Sequence, residues 1–422
     1  MTAPATLLTR EAVAALDRDD PLARLRDLFH LPAGLLYFDG NSLGPLVKAT
    51  RRLLNEVMDR QWGDDLIRSW ERHGWIELPR AVGKKIAPLI GADGDEVVVT
   101  DSTSVNLFKL LAVALQLRPG RRVILSETSQ FPTDLYMARG LAELLGKEYQ
   151  VRLVDGEDPE LDWGHEVRSH QAAVVCLSHV RFKTGALLDM AAITRAAHHG
   201  GALVLWDLSH SAGALEVDLG ACDVDLAVGC GYKFLNGGPG APAFLYVARR
   251  LHDDARSPLP GWLGHEQPFA FDLEYRPAPG IGRFLCGTPP ILSLAALDAA
   301  MDLYAGVDLR EVRRKSMALG DLFLDLVRQE CADPGLGIAC PLDACRRGSQ
   351  VSLRHQEGYA VIQALIARGV VADFRTPDVM RFGLAPLYLR YTDVWDAVGI
   401  LREVLETRAW DAPRFRQRGV VT

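Results

Sequence analysis

The sequence has no long apolar run and no excess of positive charge. No segment approaches the ~20 consecutive apolar residues that a membrane helix needs. Lys and Arg number 47 against 54 Asp and Glu, a net charge of −7, which gives no reason to expect nucleic acid or an anionic membrane surface as a partner. Charged residues between Arg10 and Asp20 interrupt the N-terminal segment before any apolar run, so no signal peptide is visible. We therefore expect a soluble, cytoplasmic protein.

Cysteines are few and scattered. The seven cysteines include no Cys-x-x-Cys pair and no partner pair at zinc spacing, so we expect reduced thiols and no metal. His198, His199 and His252 lie on polar segments and are expected at the surface. Repeats are also missing, and 48% hydrophobic with 24% charged residues is typical of a globular protein.

What is present is a series of short apolar segments between residues 95 and 250. Amphipathic segments near 104–116, 134–145 and 189–199 separate several of them. Near-continuous apolar strands that alternate with helices predict a mostly parallel central sheet flanked by helices. The predicted strands are EVVVT (96–100), RVILS (122–126), AVVCLS (173–178), ALVLWD (202–207), DLAVGC (225–230) and AFLYV (243–247).

The rest of the chain predicts a second, smaller domain. Residues 37–46 and the Pro- and Gly-rich residues 257–290 are typical of loops, and helices with short strands resume after them. We predict an N-terminal arm that belongs in part to the small domain (1–55), a large domain (56–294) and a C-terminal small α+β domain (295–422).

Three polar features lie at the ends of predicted strands, where open α/β sheets place their ligands. Thr103 and Ser104 lie where a helix begins, and could bind an anion or merely cap the helix. Asp207 ends a strand with His210 three residues on, either as a site acid or as the cap of the next helix. Lys233 lies in an apolar, glycine-rich passage, where a lysine can serve as an amine nucleophile.

Together these features predict an enzyme that uses pyridoxal 5′-phosphate (PLP). This cofactor needs an anion site for its phosphate, a carboxylate for its pyridine nitrogen and a lysine for its aldehyde. The chain supplies the Thr103-Ser104 pair, Asp207 and Lys233 in that order. A Gly-x-Ser-x-Gly elbow, a Walker loop and a dinucleotide fingerprint after the first strand are absent.

In its motifs the chain resembles the kynureninase family. The resemblance runs from about residue 37 to 392 and implies the aspartate-aminotransferase fold (PLP fold type I) and a homodimer whose active site is shared between subunits. The motifs are YFDGNSLGPL (37–46), FPTDLY (131–136), HVRFKTG (179–185), DLSHSAGA (207–214), GCGYKFLNGGPG (229–240) and GTPPIL (287–292). Single motifs are shared with class V aminotransferases and cysteine desulfurases.

The resemblance, carried over position by position, implies roles for individual residues. Lys233 would bind the cofactor covalently and move the α-proton, and Tyr232 would be the acid that protonates the substrate's β-carbon. Trp262 and Thr288 would reach the cofactor phosphate from the partner subunit. The remaining implied cofactor contacts are Thr103, Ser104, Phe131, Thr133, Asp134, Thr184, Asp207 and His210.

The implied reaction is the hydrolysis of L-kynurenine to anthranilate and L-alanine, with cleavage of the Cβ–Cγ bond. Arg381 would hold the α-carboxylate, because a planar guanidinium suits bidentate binding, although Arg375 is close enough in sequence to be confused with it. Asn41 and Gly287 would also contact the substrate. Trp70, His73 and Trp75 are candidates for a wall against the aryl ring, with ordinary core packing as the alternative.

Several alternatives stay open at this point. A cysteine desulfurase or selenocysteine lyase would need an exposed nucleophilic cysteine, and the sequence around Cys340 and Cys345 shows no sign of one. A class V aminotransferase is a further alternative, and a non-catalytic relative would be expected to lack Lys233. Gly287-Thr288 favours kynurenine over 3-hydroxykynurenine. The pathway, whether tryptophan catabolism or NAD biosynthesis, and the role of Arg181 are not determined.

Overall fold

A computed structural model describes residues 8–419, which form two compact units. The larger unit comprises Ala49–Phe182 and Leu188–Ala305. The smaller unit comprises the described parts of Met1–Lys48, Lys183–Leu187 and Gly306–Thr422. The domain bounds expected from the sequence stay a prediction, because compactness alone does not show which segments fold independently.

The strands are short, as the apolar segments predict. In chain order they are β1 (Leu36–Tyr37), β2 (Val97–Val99), β3 (Val123–Glu127), β4 (Gln150–Val154), β5 (Ala172–Ser178), β6 (Leu203–Asp207), β7 (Leu226–Gly229), β8 (Phe244–Val247), β9 (Gly337–Ile338), β10 (Gln350–Arg354), β11 (Val370–Val371), β12 (Asp373–Arg375) and β13 (Val379–Gly383).

The helices vary more in length. They are α1 (Arg10–Arg18), α2 (Lys48–Glu56), α3 (Ser69–Arg72), α4 (Leu78–Ile86), α5 (Thr103–Gln116), α6 (Pro132–Leu145), α7 (Trp163–His170), α8 (Met190–Gly200), α9 (Ile291–Met301), α10 (Leu309–Glu330), α11 (Gly358–Ile366), α12 (Tyr391–Glu406) and α13 (Pro413–Arg416). Among the described residues, no helix has the length and apolar character to cross a membrane.

The larger unit is built on a seven-stranded sheet with the order β2-β8-β7-β6-β5-β3-β4. The pairs from β7 through β6, β5 and β3 to β4 are parallel, and β8 is antiparallel to both of its neighbours. All residues of β5, β6, β7 and β8 are buried, which explains their continuous apolar sequences. The mostly parallel α/β fold expected from the sequence is confirmed.

Helix α5 shows how the core of the larger unit forms. Ser102 caps the helix, because its side chain accepts a hydrogen bond from the N–H of Val105 at 3.3 Å. Leu107, Leu110 and Leu111 are fully buried in the main apolar cluster. Burial of each such side chain contributes about 1.5–3 kcal/mol, so packing against the sheet holds the start of α5 in place.

The smaller unit contains a four-stranded antiparallel sheet with the order β12-β13-β10-β9. Arg381 lies on the inner strand β13, opposite Asp373 on one side and Ser352 on the other. The ring centres of Phe323 and Phe382 are 4.8 Å apart, and they pack α10 onto this sheet. The sheet therefore holds the Arg381 side chain at a fixed position.

His252 corrects one expectation. It is buried rather than exposed, with Nε2 at 2.9 Å from the carbonyl oxygen of Val247. The chain turns back directly after β8, and that turn brings the imidazole onto the end of the strand. Within the described residues, no group of three His, Cys, Asp or Glu side chains could hold a metal ion.

Candidate active site

Lys233 lies in the turns that follow β7, and its side chain is half-buried. Its Nζ is 3.0 Å from Nε2 of His210. The same nitrogen is 6.0 Å from the centre of the Phe131 ring and 5.9 Å from that of the Tyr232 ring. Four of the residues expected at the cofactor therefore form one cluster. Phe131, whose side chain is 39% exposed, presents a ring face that a planar ligand can stack on.

Asp207, at the end of β6, is buried and already oriented. The N–H and the hydroxyl of Ser209 donate to Oδ1 of Asp207 at 2.8 and 2.6 Å. Burial raises the pKa of this carboxyl, while the charge of Lys233 and the Ser209 hydrogen bonds act in the opposite direction. Both of these hydrogen bonds fall on Oδ1, so Ser209 fixes the orientation of the Asp207 carboxylate.

Asp134, in the first turn of α6, is a second buried carboxyl in this cluster. Its pKa is held well above the ordinary value by burial and by the charge of Asp207. Gln130 donates to Asp134 at 2.5 Å through its amide nitrogen and accepts the N–H of Ser178 at 2.8 Å through its amide oxygen. Burial therefore favours the protonated form of Asp134. Gln130 was missed in the sequence, although it directly precedes the FPTDLY motif.

A cavity of about 570 Å³ opens at the start of α5. Thr103 and Ser104 line it from the first helical turn, where backbone N–H groups have no partner within the helix. Ser102, rather than Thr103 or Ser104, caps the helix, and the interpretation of Thr103 and Ser104 as an anion site stays a prediction. Tyr232 and Thr288 line the same cavity within one chain, as does Gly287.

The tryptophans expected near the aryl ring pack against one another. The ring centres of Trp70 and Trp75 are 6.0 Å apart, and those of Trp70 and Trp262 are 6.4 Å apart. His73 Nε2 is 2.7 Å from Oδ2 of Asp65. Trp262 is half-buried, so this aromatic group keeps an accessible face. Thr133 is half-buried in the first turn of α6.

Asn41, Thr184 and Arg381 belong to the smaller unit. The Oγ1 of Thr184 accepts the N–H of Ala186 at 3.3 Å. Asn41 is buried, donates to Oε1 of Gln350 at 3.2 Å and has a buried Oδ1 that accepts no hydrogen bond among the described residues. An unsatisfied buried oxygen of this kind marks a place where a ligand donor can bind.

Arg381 is held by Asp373. Its Nε donates to Oδ1 of Asp373 at 2.6 Å, its Nη2 donates to Oδ2, and both side chains are 2% exposed. Arg375 contacts the same carboxylate at 2.7 Å and is 33% exposed. Although burial opposes it, the hydrogen bond from Arg381 lowers the pKa of Asp373. Asp39, close to this group, has its pKa raised to about 6 by burial and by the charge of Asp373.

Arg181, left without a role in the sequence, forms a buried ion pair. Its Nε and Nη2 donate to the two carboxylate oxygens of Glu127 at 2.8 and 2.7 Å. The pair lies at the end of β3 and next to Phe182, whose ring centre is 5.2 Å from that of Phe131. Arg181 is therefore anchored to Glu127 directly before the residue whose ring packs against Phe131.

Comparison with known proteins places this site in a family. The family model for the kynureninase C-terminal domain matches residues 312–401. A kynureninase of Burkholderia mallei (strain SAVP1) is 51% identical over 419 residues, covering 98% of this chain and all of the relative. A kynureninase of Pseudomonas fluorescens is 50% identical over 420 residues, covering 99% of this chain and all of the relative. The chain belongs to the kynureninase family.

Solved structures agree with this fold. The apo cysteine desulfurase of Thermococcus onnurineus NA1 has a TM-score of 0.75 at 20% identity and covers 96% of this chain and 100% of its own. A C-DES variant with glycine covalently linked to its PLP cofactor has a TM-score of 0.76 at 18% identity, covering 90% and 99%. This chain therefore has the same fold as both proteins, and at 18–20% identity the likeness shows the fold alone. The fold prediction and the PLP prediction are confirmed.

Proposed function

We propose that this member of the kynureninase family hydrolyses L-kynurenine to anthranilate and L-alanine with PLP as its cofactor. The observation that carries the proposal is identity of about half of all positions, over the whole length, with proteins named kynureninase. The cluster of Lys233, Asp207, His210 and Phe131 supports it, because these groups fit the aldehyde, the ring nitrogen and the ring face of PLP.

PLP supplies an electron sink for the charge that develops on the substrate's α- and β-carbons. Lys233 holds the cofactor and moves the α-proton, and the 3.0 Å contact with His210 Nε2 gives its amine a proton partner. Asp207 would keep the ring nitrogen protonated, with Ser209 orienting its carboxylate. Thr103 and Ser104 bind the phosphate with their N–H and hydroxyl groups.

Tyr232 is proposed as the acid that protonates the β-carbon. Burial raises the pKa of its phenol, so the hydroxyl keeps its proton at neutral pH until a strong base forms next to it. Its position on the wall of the Thr103–Ser104 cavity also puts its ring on the phosphate side of Lys233. Tyr232→Phe is therefore expected to bind cofactor and substrate but to release alanine slowly.

Arg381 is proposed to bind the α-carboxylate and Asn41 a polar group of the substrate. Arg381 is the better candidate than Arg375, because Asp373 fixes its guanidinium by two parallel hydrogen bonds. Trp70 and Gly287 are proposed to contact the aryl ring. The ring of Trp75 packs against that of Trp70, and His73 contacts Asp65.

The proposed assembly is a homodimer in which Trp262 and Thr288 complete the partner's site. Large apolar side chains of the larger unit are exposed, among them Ile67 (77%), Phe269 (64%) and Phe271 (78%), which supports burial in an interface. The test mixes Lys233→Ala subunits with Trp262→Ala subunits. Activity that returns on mixing supports a shared site, and two inactive parents that stay inactive would contradict it. We propose a cytoplasmic location and a role in tryptophan catabolism.

The deciding experiment is a fluorescence assay for anthranilate after PLP-loaded protein is mixed with L-kynurenine, with 3-hydroxykynurenine and L-cysteine in parallel. Anthranilate together with alanine is the expected product. Sulfide from cysteine without anthranilate would instead favour a desulfurase. Burial raises the pKa of the Cys340 thiol, which makes that residue a poor desulfurase nucleophile.

A further inference from the structure

Lys109, on α5, is a fully buried cation for which the reaction gives no use. Its side chain is 0% exposed and forms an ion pair with Asp101. Its Nζ also donates to the carbonyl oxygen of Phe284 at 2.7 Å. The residues around it on α5 are apolar, among them Leu110 and Leu111. A buried ammonium group destabilises the folded state by several kcal/mol unless it is paired. The positions of its two partners therefore indicate why a lysine is present here.

One partner of Lys109 lines the cavity at the start of α5, and the other directly precedes a second wall of that cavity. Asp101 lines the cavity directly and precedes the Ser102–Ser104 segment. Phe284 directly precedes the wall formed by residues 285–290. One ammonium group therefore ties the phosphate-binding turn to the wall that carries Thr288. The backbone of Ala243 joins a third wall, since its N–H donates to the carbonyl oxygen of Asp101 at 2.9 Å.

Asp101 itself has an uncommon backbone. Its φ is +47°, in the left-handed region that non-glycine residues rarely adopt. The Lys109 ion pair and a 3.2 Å hydrogen bond from the Thr100 hydroxyl both hold the carboxylate of this residue. The turn at Asp101 ends β2 and sets where α5 begins. Fixing the Asp101 side chain therefore fixes the N–H groups of Thr103 and Ser104.

The charge of Asp101 needs a partner for a second reason. The Asp101 side chain is 30% exposed and lines the cavity that, under the proposed function, receives a phosphate dianion. An unpaired carboxylate there would repel the phosphate. Lys109 cancels this charge from beneath without lining the cavity itself.

We propose that Lys109 and Asp101 are positioning residues of the phosphate site. Together they fix the N–H groups of Thr103 and Ser104, and Lys109 neutralises the charge of Asp101. The inference rests on the proposed use of this cavity for the PLP phosphate. It predicts that loss of Lys109 alone is worse for phosphate binding than loss of both charges, because the single change leaves Asp101 unpaired.

The experiment measures dissociation constants of the apoprotein variants for PLP and for pyridoxal, which lacks the phosphate. Lys109→Met is expected to weaken PLP binding by about tenfold or more while its affinity for pyridoxal stays within about twofold. Asp101→Asn/Lys109→Met is expected to recover part of the loss, because asparagine tolerates the left-handed backbone and carries no charge. Lys85→Met is the control, since Lys85 pairs with Asp298 and Asp302 in the same unit.

Equal weakening of PLP and pyridoxal by Lys109→Met would overturn the proposal, because it would mean general damage to the site. A double variant no better than the single variant would refute the charge argument. Should Lys109→Met not fold, Lys109→Gln takes its place in the same assay, and unchanged PLP affinity in that variant contradicts a positioning role. Failure of kynurenine turnover by the unaltered protein would instead reject the proposed substrate and leave these binding results standing.

Discussion

Replacing Asp207 with asparagine removes a buried charge but keeps the size and shape of the side chain. Ser209 still offers two hydrogen-bond donors to Oδ1, so the local fold is expected to survive. What is lost is the carboxylate that keeps the ring nitrogen of PLP protonated. Loss of one partner from a buried ion pair costs about 3–5 kcal/mol. At about 1.4 kcal/mol for each factor of ten, kcat/KM should fall by about 10²- to 10⁴-fold.

The assay for Asp207→Asn follows anthranilate release from L-kynurenine at saturating PLP, with the visible absorbance of the bound cofactor recorded in parallel. Asp225→Asn is the matched control. Asp225 is also a buried carboxylate in this unit, where it accepts hydrogen bonds from Val204 and Arg250 and contacts His198. The control should lose stability and keep its activity per bound cofactor. An Asp207→Asn enzyme within threefold (about 0.7 kcal/mol) of the unaltered enzyme would refute the assignment of Asp207.

Three further predictions follow from single residues. Lys233→Ala is expected to abolish turnover and the visible absorbance of the lysine-bound cofactor, and retained activity would reject the mechanism. Because the fold raises the pKa of Asp39 to about 6, ionisation of Asp39 destabilises the folded state as pH rises from about 4 through 6. Relative to the unaltered protein, Asp39→Asn should therefore gain about 3 kcal/mol of unfolding free energy between about pH 4 and about pH 7, measured by urea unfolding at both of these pH values. Lys315 forms an ion pair with Asp20 at 2.7 Å, and both side chains are under 5% exposed. Lys315→Met should therefore lower the free energy of unfolding by about 3–5 kcal/mol. Asp20→Asn/Lys315→Met should lower it clearly less, because neither charge is left unpaired.

Within the seven-stranded sheet, the six strands that the sequence predicts and the one that it misses differ in burial. The six predicted strands coincide with β2, β3, β5, β6, β7 and β8 to within a residue or two at each end. The missed strand, β4, is QVRLV at the edge of the sheet, where no residue is fully buried and Arg152 is exposed. Strands covered on both faces need continuous apolar sequence, and an edge strand does not. The composition of β8 also does not show that this strand runs antiparallel to both of its neighbours.

The site residues separate in the same way. Asp207 and Lys233 could be proposed as site residues from the sequence, because each is a charged residue in an apolar or glycine-rich passage. Packing alone does not explain a charged residue there. Asn41 and Arg381 were proposed as substrate contacts only through the resemblance, because nothing in their local sequences distinguishes them from ordinary polar residues. Gln130 was not found by either route. It acts through a buried contact with Asp134, and contacts of that kind depend on tertiary distances that no local pattern encodes.

Lys109 marks the limit of sequence reasoning most clearly. In TSVNLFKLLAVALQ a single lysine on a helix is typically a solvent-exposed charge. The structure buries it completely, because one face of α5 packs on the sheet and the other is covered by the chain near Phe284. Two residues far apart in the sequence, Asp101 and Phe284, make that burial tolerable by accepting its hydrogen bonds. Because both partners must stay in place to satisfy the Lys109 ammonium group, each constrains the position of the other, and this constraint is the basis of the positioning role proposed for Lys109.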